Sequence, residues 1–174
     1  MHGEAKTRLR EALLAVRGAR AASEIDAARA AVRGHVLARF GSSARVAAFR
    51  PLRTEPGSVE LLDALVAGGA SVIVPLLLAD RDLDWTPWPS GDALGIDTIA
   101  RVDAVLVPAL AADRRGARLG RGGGSYDRAL ARVPSGVPIV ALLYDDELVE
   151  RVPVAAWDVP VTAAITPSGW HRLG

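Results

Sequence analysis

Five short apolar runs, separated by longer amphipathic or polar segments, constrain the fold of this chain more than any other feature. The runs are Val46–Phe49, Ser71–Val74, Ala104–Val107, Ile139–Leu143 and Thr162–Ile165. Each is apolar at nearly consecutive positions, so both faces of such a strand would be buried, as in a parallel sheet that helices cover on both sides. We therefore predict a Rossmann-like α/β fold with three α/β/α layers and a mostly parallel sheet.

Two helices are predicted before the first of these strands. The first would run from about Glu4 to Arg20 and has an apolar face. This face consists of Leu9, Leu13 and Val16. The segment Ser23–Asp26 has the form of a capping box, which would begin a second helix that ends at Gly41. Later helices are predicted over Ser58–Val66 and from about Tyr126 to Arg132.

Length and composition favour one globular domain. The chain has 174 residues, of which half are apolar, and no cysteine. A domain of this size buries roughly 70% of the surface that its unfolded chain exposes, which is enough for a core without crosslinks. The lack of cysteine excludes a disulfide scaffold, a thiol nucleophile and cysteine zinc motifs. No linker or repeat divides the sequence, so we expect a single domain over residues 1–174.

The distribution of apolar residues predicts a cytoplasmic protein. The longest uncharged stretch, Ala64–Ala79, contains two glycines and a proline and is shorter than the about 18 residues that a membrane span needs. Charged residues near the N-terminus leave no apolar core for a signal peptide. We therefore expect no contact with a membrane.

The charges are unevenly distributed along the chain. Residues 1–53 carry ten Arg and one Lys against four acidic residues, a net charge of +7, and residues 54–174 carry ten Arg against sixteen acidic residues, a net charge of −6. A basic half is compatible with nucleic-acid binding, but almost no aromatic side chains are present there for base stacking. We expect a solvated surface and no nucleic-acid partner, with RNA binding as the alternative.

The segment Asp113–Asp127 has the clearest chemical character. Four glycines within residues 120–124 leave backbone amides unshielded, and Arg118 and Arg121 can supply forked cationic donors. The segment follows a predicted strand, where ligands of parallel sheets bind, and the helix predicted from Tyr126 would add a positive dipole end. The spacing fits neither a Walker A loop nor a dinucleotide fingerprint. We interpret the segment as a phosphate-binding loop, with a flexible surface turn as the alternative.

Two tryptophans, Trp85 and Trp88, lie beside Pro87 and Pro89 in a polar stretch between predicted strands. They are compatible with simple packing within a loop. They are also compatible with a wall on which a flat ring would stack, and the sequence leaves both interpretations open.

The glycine-rich segment resembles the signature of the 5-formyltetrahydrofolate cyclo-ligase family, also called methenyltetrahydrofolate synthetases. The resemblance is carried by Val107-Pro108, Asp113, Gly116 and Arg118–Asp127, and it extends to Lys6–Arg10, Phe49–Glu55, Pro153–Asp158 and Thr162–Thr166. Members of this family use Mg-ATP to phosphorylate the formyl oxygen of 5-formyltetrahydrofolate, after which nitrogen 10 attacks the activated carbon and phosphate leaves. The resemblance implies an ATP- and magnesium-dependent ligase of folate one-carbon metabolism.

The resemblance also implies which residues bind ATP, the co-substrate. They are Lys6, Arg10, Arg118, Leu119, Gly120, Arg121, Gly122, Gly123, Gly124, Ser125 and Tyr126. Arg121 and Tyr126 would be catalytic, Arg121 by stabilising charge on the transferred phosphoryl group. Taken alone, Lys6 and Arg10 are more typical of a solvated helix surface, and the plainer interpretation of Arg121 is a solvated side chain.

The remaining implied site residues would bind the folate and the metal. Arg50 and Glu55 would contact 5-formyltetrahydrofolate, and Asp127 and Asp158 would bind Mg²⁺, which prefers hard carboxylate oxygens. The plainer interpretation of Glu55 is a solvated loop residue, and that of Asp127 is a helix cap. We expect the chain to act as a monomer. The alternative function is a non-catalytic nucleotide- or RNA-binding relative of the same fold.

Several residues depart from the usual pattern of the family. Ser125 replaces an aromatic residue, Ala112 replaces Phe, Asp97-Thr98 replaces Glu-Pro and Trp157 replaces His, while Gly123 stands where some relatives have Lys. We expect these departures to alter the walls of the folate pocket more than the nucleotide site.

Overall fold

Ten strands and four α-helices follow one another along the described part of the chain, which is residues 2–42 and 44–174 of a computed structural model. The helices are α1 (His2–Ala19), α2 (Ala22–Phe40), α3 (Val59–Ala67) and α4 (Ser125–Leu130). The strands are β1 (Arg45–Ala47), β2 (Ser71–Leu77), β3 (Leu83–Pro87), β4 (Ala104–Pro108), β5 (Ala111–Asp113), β6 (Arg118–Leu119), β7 (Ile139–Leu142), β8 (Leu148–Val149), β9 (Ala163–Thr166) and β10 (Gly169–Arg172). Two 3₁₀ helices span Ile96–Arg101 and Asp145–Glu147. None of the described helices is both long and apolar enough to cross a membrane.

The main sheet has seven strands in the order β10-β9-β7-β4-β1-β2-β3. Its five inner strands are parallel, with Val46 opposite both Val72 and Ala104, and the edge strands β3 and β10 are antiparallel to their neighbours. The predicted mostly parallel sheet is therefore confirmed. The chain moves to one side of β1 to form β2 and to the other side to form β4, so a topological switch point lies between β1 and β4. Open α/β sheets bind ligands at such points.

Helices cover both faces of this sheet, which confirms the three-layer prediction. On one face, Val36 of α2 and Leu65 of α3 pack in the same apolar cluster as Leu106 of β4. On the other face, Val105 packs in a cluster with Leu130 of α4 and with the 3₁₀ helix Ile96–Arg101. Neighbouring residues of one strand thus enter opposite cores, which explains why the predicted strands are apolar at consecutive positions.

A second, smaller sheet in the order β6-β5-β8 supports helix α1. Leu9 and Leu13 of α1 pack on the cluster that includes Leu119 and Val152. This sheet was not predicted, because β6 and β8 have only two residues each. Val16, predicted on the apolar face of α1, is 47% exposed. The buried face of α1 instead continues from Leu13 to Arg17, four positions further along the helix.

The predicted start of α2 is wrong, whereas that of α3 is confirmed. The N-cap of α2 is Ala21, with no side-chain hydrogen bond, and Ser23 lies inside the helix. Only two residues separate α1 from α2. The second helix therefore begins before Ser23, and the predicted capping box lies within its first turn. Ser58, in contrast, caps α3 by accepting a hydrogen bond from the Leu61 N–H at 3.2 Å.

Trp88 packs within a loop, as one of the two interpretations predicted, whereas Trp85 fits neither. Trp85 lies in β3 and is fully buried in the core. Trp88 follows β3, packs beside the α2–α3 cluster and donates its indole N–H to Asp63 at 2.7 Å. Pro87 and the acidic residues around Trp85 interrupt the apolar pattern, so the sequence did not indicate this edge strand.

A buried ion pair joins α1 to the second half of the chain. The side chains of Arg17 and Glu147 are each 1% exposed, and the Arg17 guanidinium donates to the two carboxylate oxygens at 2.6 and 2.7 Å. The same guanidinium donates to the Ala109 carbonyl at 2.6 Å, and the Tyr144 N–H donates to Glu147 at 3.0 Å. Arg17 therefore fixes α1 against the end of β4 and the 3₁₀ helix Asp145–Glu147.

Replacing Arg17 with Met is expected to reduce the free energy of unfolding by about 3–5 kcal/mol, because it leaves the buried Glu147 carboxylate without its cation. The double variant Arg17→Met/Glu147→Gln should recover at least half of this loss, since it removes the unpaired charge. Urea unfolding measures both. Arg8→Met, on an exposed position of α1, is the control and should change stability by less than about 0.5 kcal/mol. Equal loss in the single and double variants would contradict this account of the pair.

Candidate active site

A cavity of about 700 Å³ opens at the carboxyl ends of β1 and β4, at the switch point of the sheet. Every site residue predicted from the sequence lines it: Lys6, Arg10, Arg50, Glu55, Arg118, Leu119, Gly120, Arg121, Gly122, Gly123, Gly124, Ser125, Tyr126, Asp127 and Asp158. Its volume lies within the range of about 300–1,000 Å³ that is typical of small-molecule sites. The fold thus brings together residues from α1, the β1–α3 connection, the β6–α4 loop and the C-terminal part of the chain.

The β6–α4 loop, residues 120–124, is held against α1. Arg10 Nε donates to the Gly120 carbonyl at 2.8 Å. Gly122 has a φ of +102°, and a Cβ atom there would lie 3.4 Å from the Arg10 guanidinium carbon. Only glycine adopts this left-handed backbone readily while allowing so close an approach. These contacts favour a shaped loop over a flexible surface turn.

The two arginines of this segment differ in exposure. The Arg118 side chain is 5% exposed, and its guanidinium donates to Asp127 at 3.0 Å and to the Pro108 carbonyl at 3.3 Å. The Arg121 side chain is 44% exposed, with its Nε 3.6 Å from a Glu55 carboxylate oxygen. Arg118 therefore fastens the loop to the end of β4, whereas Arg121 presents its charge to the cavity.

Asp127 connects the loop to the C-terminal part of the chain. Its Oδ1 accepts hydrogen bonds from Arg118 and from the Val159 N–H, the latter at 3.1 Å. The N-cap of α4 is Gly124, which receives no side-chain cap. The interpretation of Asp127 as a helix cap is therefore wrong, because its carboxylate turns away from the N–H groups of its own helix.

Asp158 forms an ion pair with Lys6 across the cavity. Lys6 Nζ donates to Asp158 Oδ2, which also accepts the Ala155 N–H at 2.7 Å. Burial alone would raise the pKa of Asp158, but the hydrogen bonds from Lys6 and Ala155 outweigh it and hold this pKa below its ordinary value. The carboxylate is therefore ionised at neutral pH.

The two aspartates fit a magnesium ion that arrives with a nucleotide. Over the described residues, no group of three or more His, Cys, Asp or Glu side chains is arranged to hold a metal. Asp127 and Asp158 nevertheless line the same cavity, and each uses one carboxylate oxygen in the contacts above. Mg²⁺ is commonly bound by one or two carboxylates together with water and substrate phosphates. This donor set matches that pattern rather than an all-protein metal cage.

Glu55 and Arg50 lie on the side of the cavity formed by the β1–α3 connection. Glu55 is only 4% exposed, and its Oε2 accepts the Leu52 N–H at 2.8 Å. Burial at the cavity wall shows that Glu55 is not a solvated loop residue. Arg50 is exposed, with its guanidinium 5.1 Å from the centre of the Trp88 ring. Arg50 therefore lies at the rim and Glu55 lies within.

Tyr126 lines the cavity and carries a buried hydroxyl. This hydroxyl is buried and has no hydrogen-bond partner among the described residues. Burial raises the pKa of Tyr126 well above its ordinary value, and the nearby Arg118 charge opposes this only in part. The hydroxyl therefore keeps its proton at neutral pH and can donate a hydrogen bond to a ligand.

Comparison with known proteins identifies the family of this chain. Residues 2–167 match the sequence model of the 5-formyltetrahydrofolate cyclo-ligase family. The 5-formyltetrahydrofolate cyclo-ligase of Mycolicibacterium smegmatis is 36% identical over 186 residues, an alignment that covers 96% of each chain. The chain belongs to the 5-formyltetrahydrofolate cyclo-ligase family. The resemblance of its glycine-rich segment is thus confirmed, and the chain is a ligase of folate one-carbon metabolism.

Solved structures of cyclo-ligase family proteins share the fold. The 5,10-methenyltetrahydrofolate synthetase of Aquifex aeolicus superimposes with a TM-score of 0.81 and 27% identity, covering 97% of this chain and 92% of that one. The synthetase of Mycoplasma pneumoniae gives a TM-score of 0.79 at 20% identity, covering 93% of this chain and 98% of that one. This chain therefore shares its fold with both structures over nearly its whole length.

Not every departure from the cyclo-ligase pattern lies at the site. Ser125, Gly123 and Trp157 line the cavity, and Trp157 is 75% exposed at its mouth. Ala112 is instead buried in β5 of the small sheet, and Asp97-Thr98 lies on the 3₁₀ helix Ile96–Arg101. Of the departures named above, only those at Ser125, Gly123 and Trp157 therefore change the wall of the cavity.

Asp113 is a residue of the cyclo-ligase signature for which the sequence suggested no role. It is fully buried and accepts hydrogen bonds from the N–H groups of Arg115, Ala117 and Val152 at 2.9, 3.1 and 3.0 Å. Its carboxylate thus ties the turn before β6 to the segment that leads to Asp158. The spacing from Asp113 to Gly116, typical of a tight turn, was the available signal.

We expect Asp113→Asn to destabilise the protein at neutral pH by an amount that shrinks in acid. Burial opposes ionisation of Asp113, but the hydrogen bonds from Val152, Arg115 and Ala117 lower its pKa overall. The ionised carboxylate therefore stabilises the fold above its unfolded pKa of about 3.9, and this contribution is lost as pH falls through the lower native pKa.

Urea unfolding at a series of pH values tests this expectation. The stability difference between wild type and Asp113→Asn should be constant from about pH 5.5 to 7 and decrease below about pH 4. Asp92→Asn, at an exposed position, is the control and should show no such dependence. A difference that stays unchanged in acid would mean that the charge of Asp113 does not stabilise the fold.

Proposed function

We propose that this chain converts 5-formyltetrahydrofolate to 5,10-methenyltetrahydrofolate in an ATP- and magnesium-dependent reaction that releases ADP and phosphate. One observation carries the proposal: the predicted nucleotide loop and the predicted folate residue meet in one cavity, with Arg121 Nε 3.6 Å from Glu55. Phosphoryl transfer depends chiefly on positioning donor and acceptor in line and on neutralising charge. A cavity with cationic and acidic walls in contact supports such positioning.

The triphosphate would lie between α1 and the β6–α4 loop. Lys6 and Arg10, four residues apart on α1, share one helix face and both line the cavity. The glycines of the loop and the exposed Arg121 line the same cavity, where backbone amides would be available to the phosphates. Arg118, whose guanidinium is already bonded to Asp127 and Pro108, would act on the nucleotide chiefly by shaping this loop.

The metal would be held by Asp127 and Asp158. When bound there with the nucleotide, Mg²⁺ supplies neutralisation of the phosphate charge. Both carboxylates are fixed by hydrogen bonds to the backbone N–H groups of Val159 and Ala155, respectively. Lys6, which pairs with Asp158, would bind a phosphate oxygen beside the metal.

The folate would occupy the side of the cavity formed by Glu55 and Arg50. The Glu55 carboxylate would accept hydrogen bonds from ring donors of the folate. The formyl oxygen then attacks the γ-phosphorus, and the bond to ADP breaks. Nitrogen 10 next attacks the formyl carbon, the carbon–oxygen bond to phosphate breaks, and nitrogen 10 releases its proton. Arg121 would stabilise the charge that develops on the transferred group, with the Tyr126 hydroxyl as a neutral donor.

The decisive assay follows the absorbance of methenyltetrahydrofolate in the presence and absence of Mg-ATP. Growth of the product signal only with ATP supports the proposed reaction. Nucleotide binding without product formation would favour a non-catalytic relative instead, and tight, sequence-dependent RNA binding at physiological salt would favour the RNA-binding alternative.

Arg121→Ala should slow turnover by about 10- to 150-fold, because a charge-assisted hydrogen bond is worth about 1.5–3 kcal/mol. Arg128→Ala is the matched control: it removes an arginine of α4 whose side chain bonds the Asp80 carbonyl outside the cavity. Steady-state rates with saturating substrates compare the two. Similar rates for both variants would remove Arg121 from the mechanism.

Asp127→Asn and Asp158→Asn should each lower turnover and raise the magnesium concentration for half-maximal rate several-fold, since each removes one anionic ligand. The double variant should lose less than the sum of the two losses in free energy, because both changes damage one shared centre. Asp26→Asn, exposed on α2, is the control. Additive losses with an unchanged magnesium requirement would show that the carboxylates do not share the ion.

A further inference from the structure

Side chains from other parts of the chain bond the backbone carbonyls of residues 52–55, the loop that carries Glu55. The carbonyls of Leu52, Arg53 and Glu55 all accept hydrogen bonds from one side chain, Arg29 of α2, at 3.1, 2.9 and 3.0 Å. The remaining carbonyl, that of Thr54, accepts the Tyr144 hydroxyl at 2.8 Å. Four consecutive carbonyls of this irregular segment are thus bonded by side chains that lie far from it in the sequence.

We propose that Arg29 and Tyr144 are positioning residues for the folate. This inference rests on the proposed function, in which Glu55 contacts the folate. Neither Arg29 nor Tyr144 lines the cavity, so neither would touch a substrate. Both bond the backbone from outside, and the shape of the loop then directs Leu52 and Glu55 toward the cavity.

The geometry of the Glu55 side chain depends on this loop shape. Glu55 Oε2 accepts the Leu52 N–H at 2.8 Å, and the Glu55 N–H donates to the Leu52 carbonyl at 3.0 Å. One carboxylate oxygen is therefore used to close the turn, and Oε1 lies on the side of Arg121. If the carbonyls of residues 52–55 were free to rotate, this turn would open and Oε1 would lose its fixed direction.

Arginine is well suited to this task. Its planar guanidinium presents five N–H donors in a fixed fork, so a single side chain can bond three carbonyls that lie on one side of a turn. Lysine has three donors at one point and cannot span the same three acceptors. Ordering an irregular backbone costs about 1–2 kcal/mol per residue in conformational entropy, which these bonds offset before a ligand arrives.

Tyr144 is itself held by the N-terminal helix region. The Arg20 guanidinium lies 4.0 Å from the centre of the Tyr144 ring, and the Tyr144 N–H donates to Glu147. Glu147 is the carboxylate that pairs with Arg17. Residues 52–55 are therefore fixed by two parts of the chain. Helix α2 bonds them through Arg29, and the segment that carries Glu147, the partner of Arg17, bonds them through Tyr144.

The test compares Arg29→Met with Arg33→Met, one turn further along α2, for whose side chain the described residues provide no hydrogen bond. In Arg29→Met, the KM for 5-formyltetrahydrofolate should rise about 10-fold or more, as expected for loss of charge-assisted bonds. The KM for ATP and kcat should stay within about twofold of wild type, and all three constants should be unchanged in Arg33→Met. Amide hydrogen exchange over residues 51–57 should accelerate only in Arg29→Met.

Two further variants separate positioning from a general structural role. Tyr144→Phe removes one donor while keeping the ring beneath Arg20, and it should raise the folate KM by about two- to fivefold. Combining Arg29→Met with Glu55→Gln should add little to Glu55→Gln alone, because the effect of Arg29 passes through Glu55. Arg29→Lys, which keeps the charge, should restore only part of the affinity.

Opposite outcomes would overturn the inference. Faster exchange at residues 51–57 with an unchanged folate KM would show that the loop shape does not matter for binding. An equal rise of both KM values with a lowered melting temperature would assign Arg29 to general stability. If wild type binds 5-formyltetrahydrofolate without forming product, the proposed reaction is wrong, but the folate Kd of the same variants still decides the positioning role. If it does not bind this folate, both proposals are wrong.

Discussion

The buried pair of Arg17 and Glu147 fixes the helix that carries Lys6 and Arg10 into the candidate site. Helix α1 packs through few apolar side chains, and Arg17 supplies the directional contact that these lack. Lys6, Arg10 and Arg17 are spaced to lie along one face, with about 16 Å between the first and the last at 1.5 Å per residue. Because a helix is stiff over this length, fixing Arg17 also fixes where Lys6 and Arg10 enter the cavity.

Three aspartates fix the segment between β8 and β9 by accepting its backbone N–H groups. This segment contains no regular secondary structure. Asp113 accepts the N–H of Val152, Asp127 accepts that of Val159, and Asp158 accepts that of Ala155. An irregular segment next to a cavity needs such partners, because its backbone groups have no neighbouring strand to bond. Anionic acceptors make these bonds strong, and two of the three, Asp127 and Asp158, also line the cavity and give it acidic groups.

The inner strands could be predicted from the sequence because their signal is local, whereas the site residues named above were predicted through the family resemblance. Consecutive apolar residues indicate strands that are buried on both faces, and the glycine-rich segment carried the family resemblance. Arg17 could not be recognised, since a charged residue on an amphipathic helix is usually solvated and its partner lies 130 positions away. Arg29 and Tyr144 were missed for a related reason: they bond backbone carbonyls, which leave no residue pattern.

The contacts that hold α1 have a consequence for the order in which the protein folds during synthesis. Its ionic and apolar partners, from Ala109 to Asp158, all belong to the later part of the chain. Helix α1 therefore lacks these partners until the chain has been synthesised as far as Asp158. Contacts of such long sequence separation form late and slow folding. The cavity is therefore complete only after α1 has packed against the segment from Ala109 to Asp158.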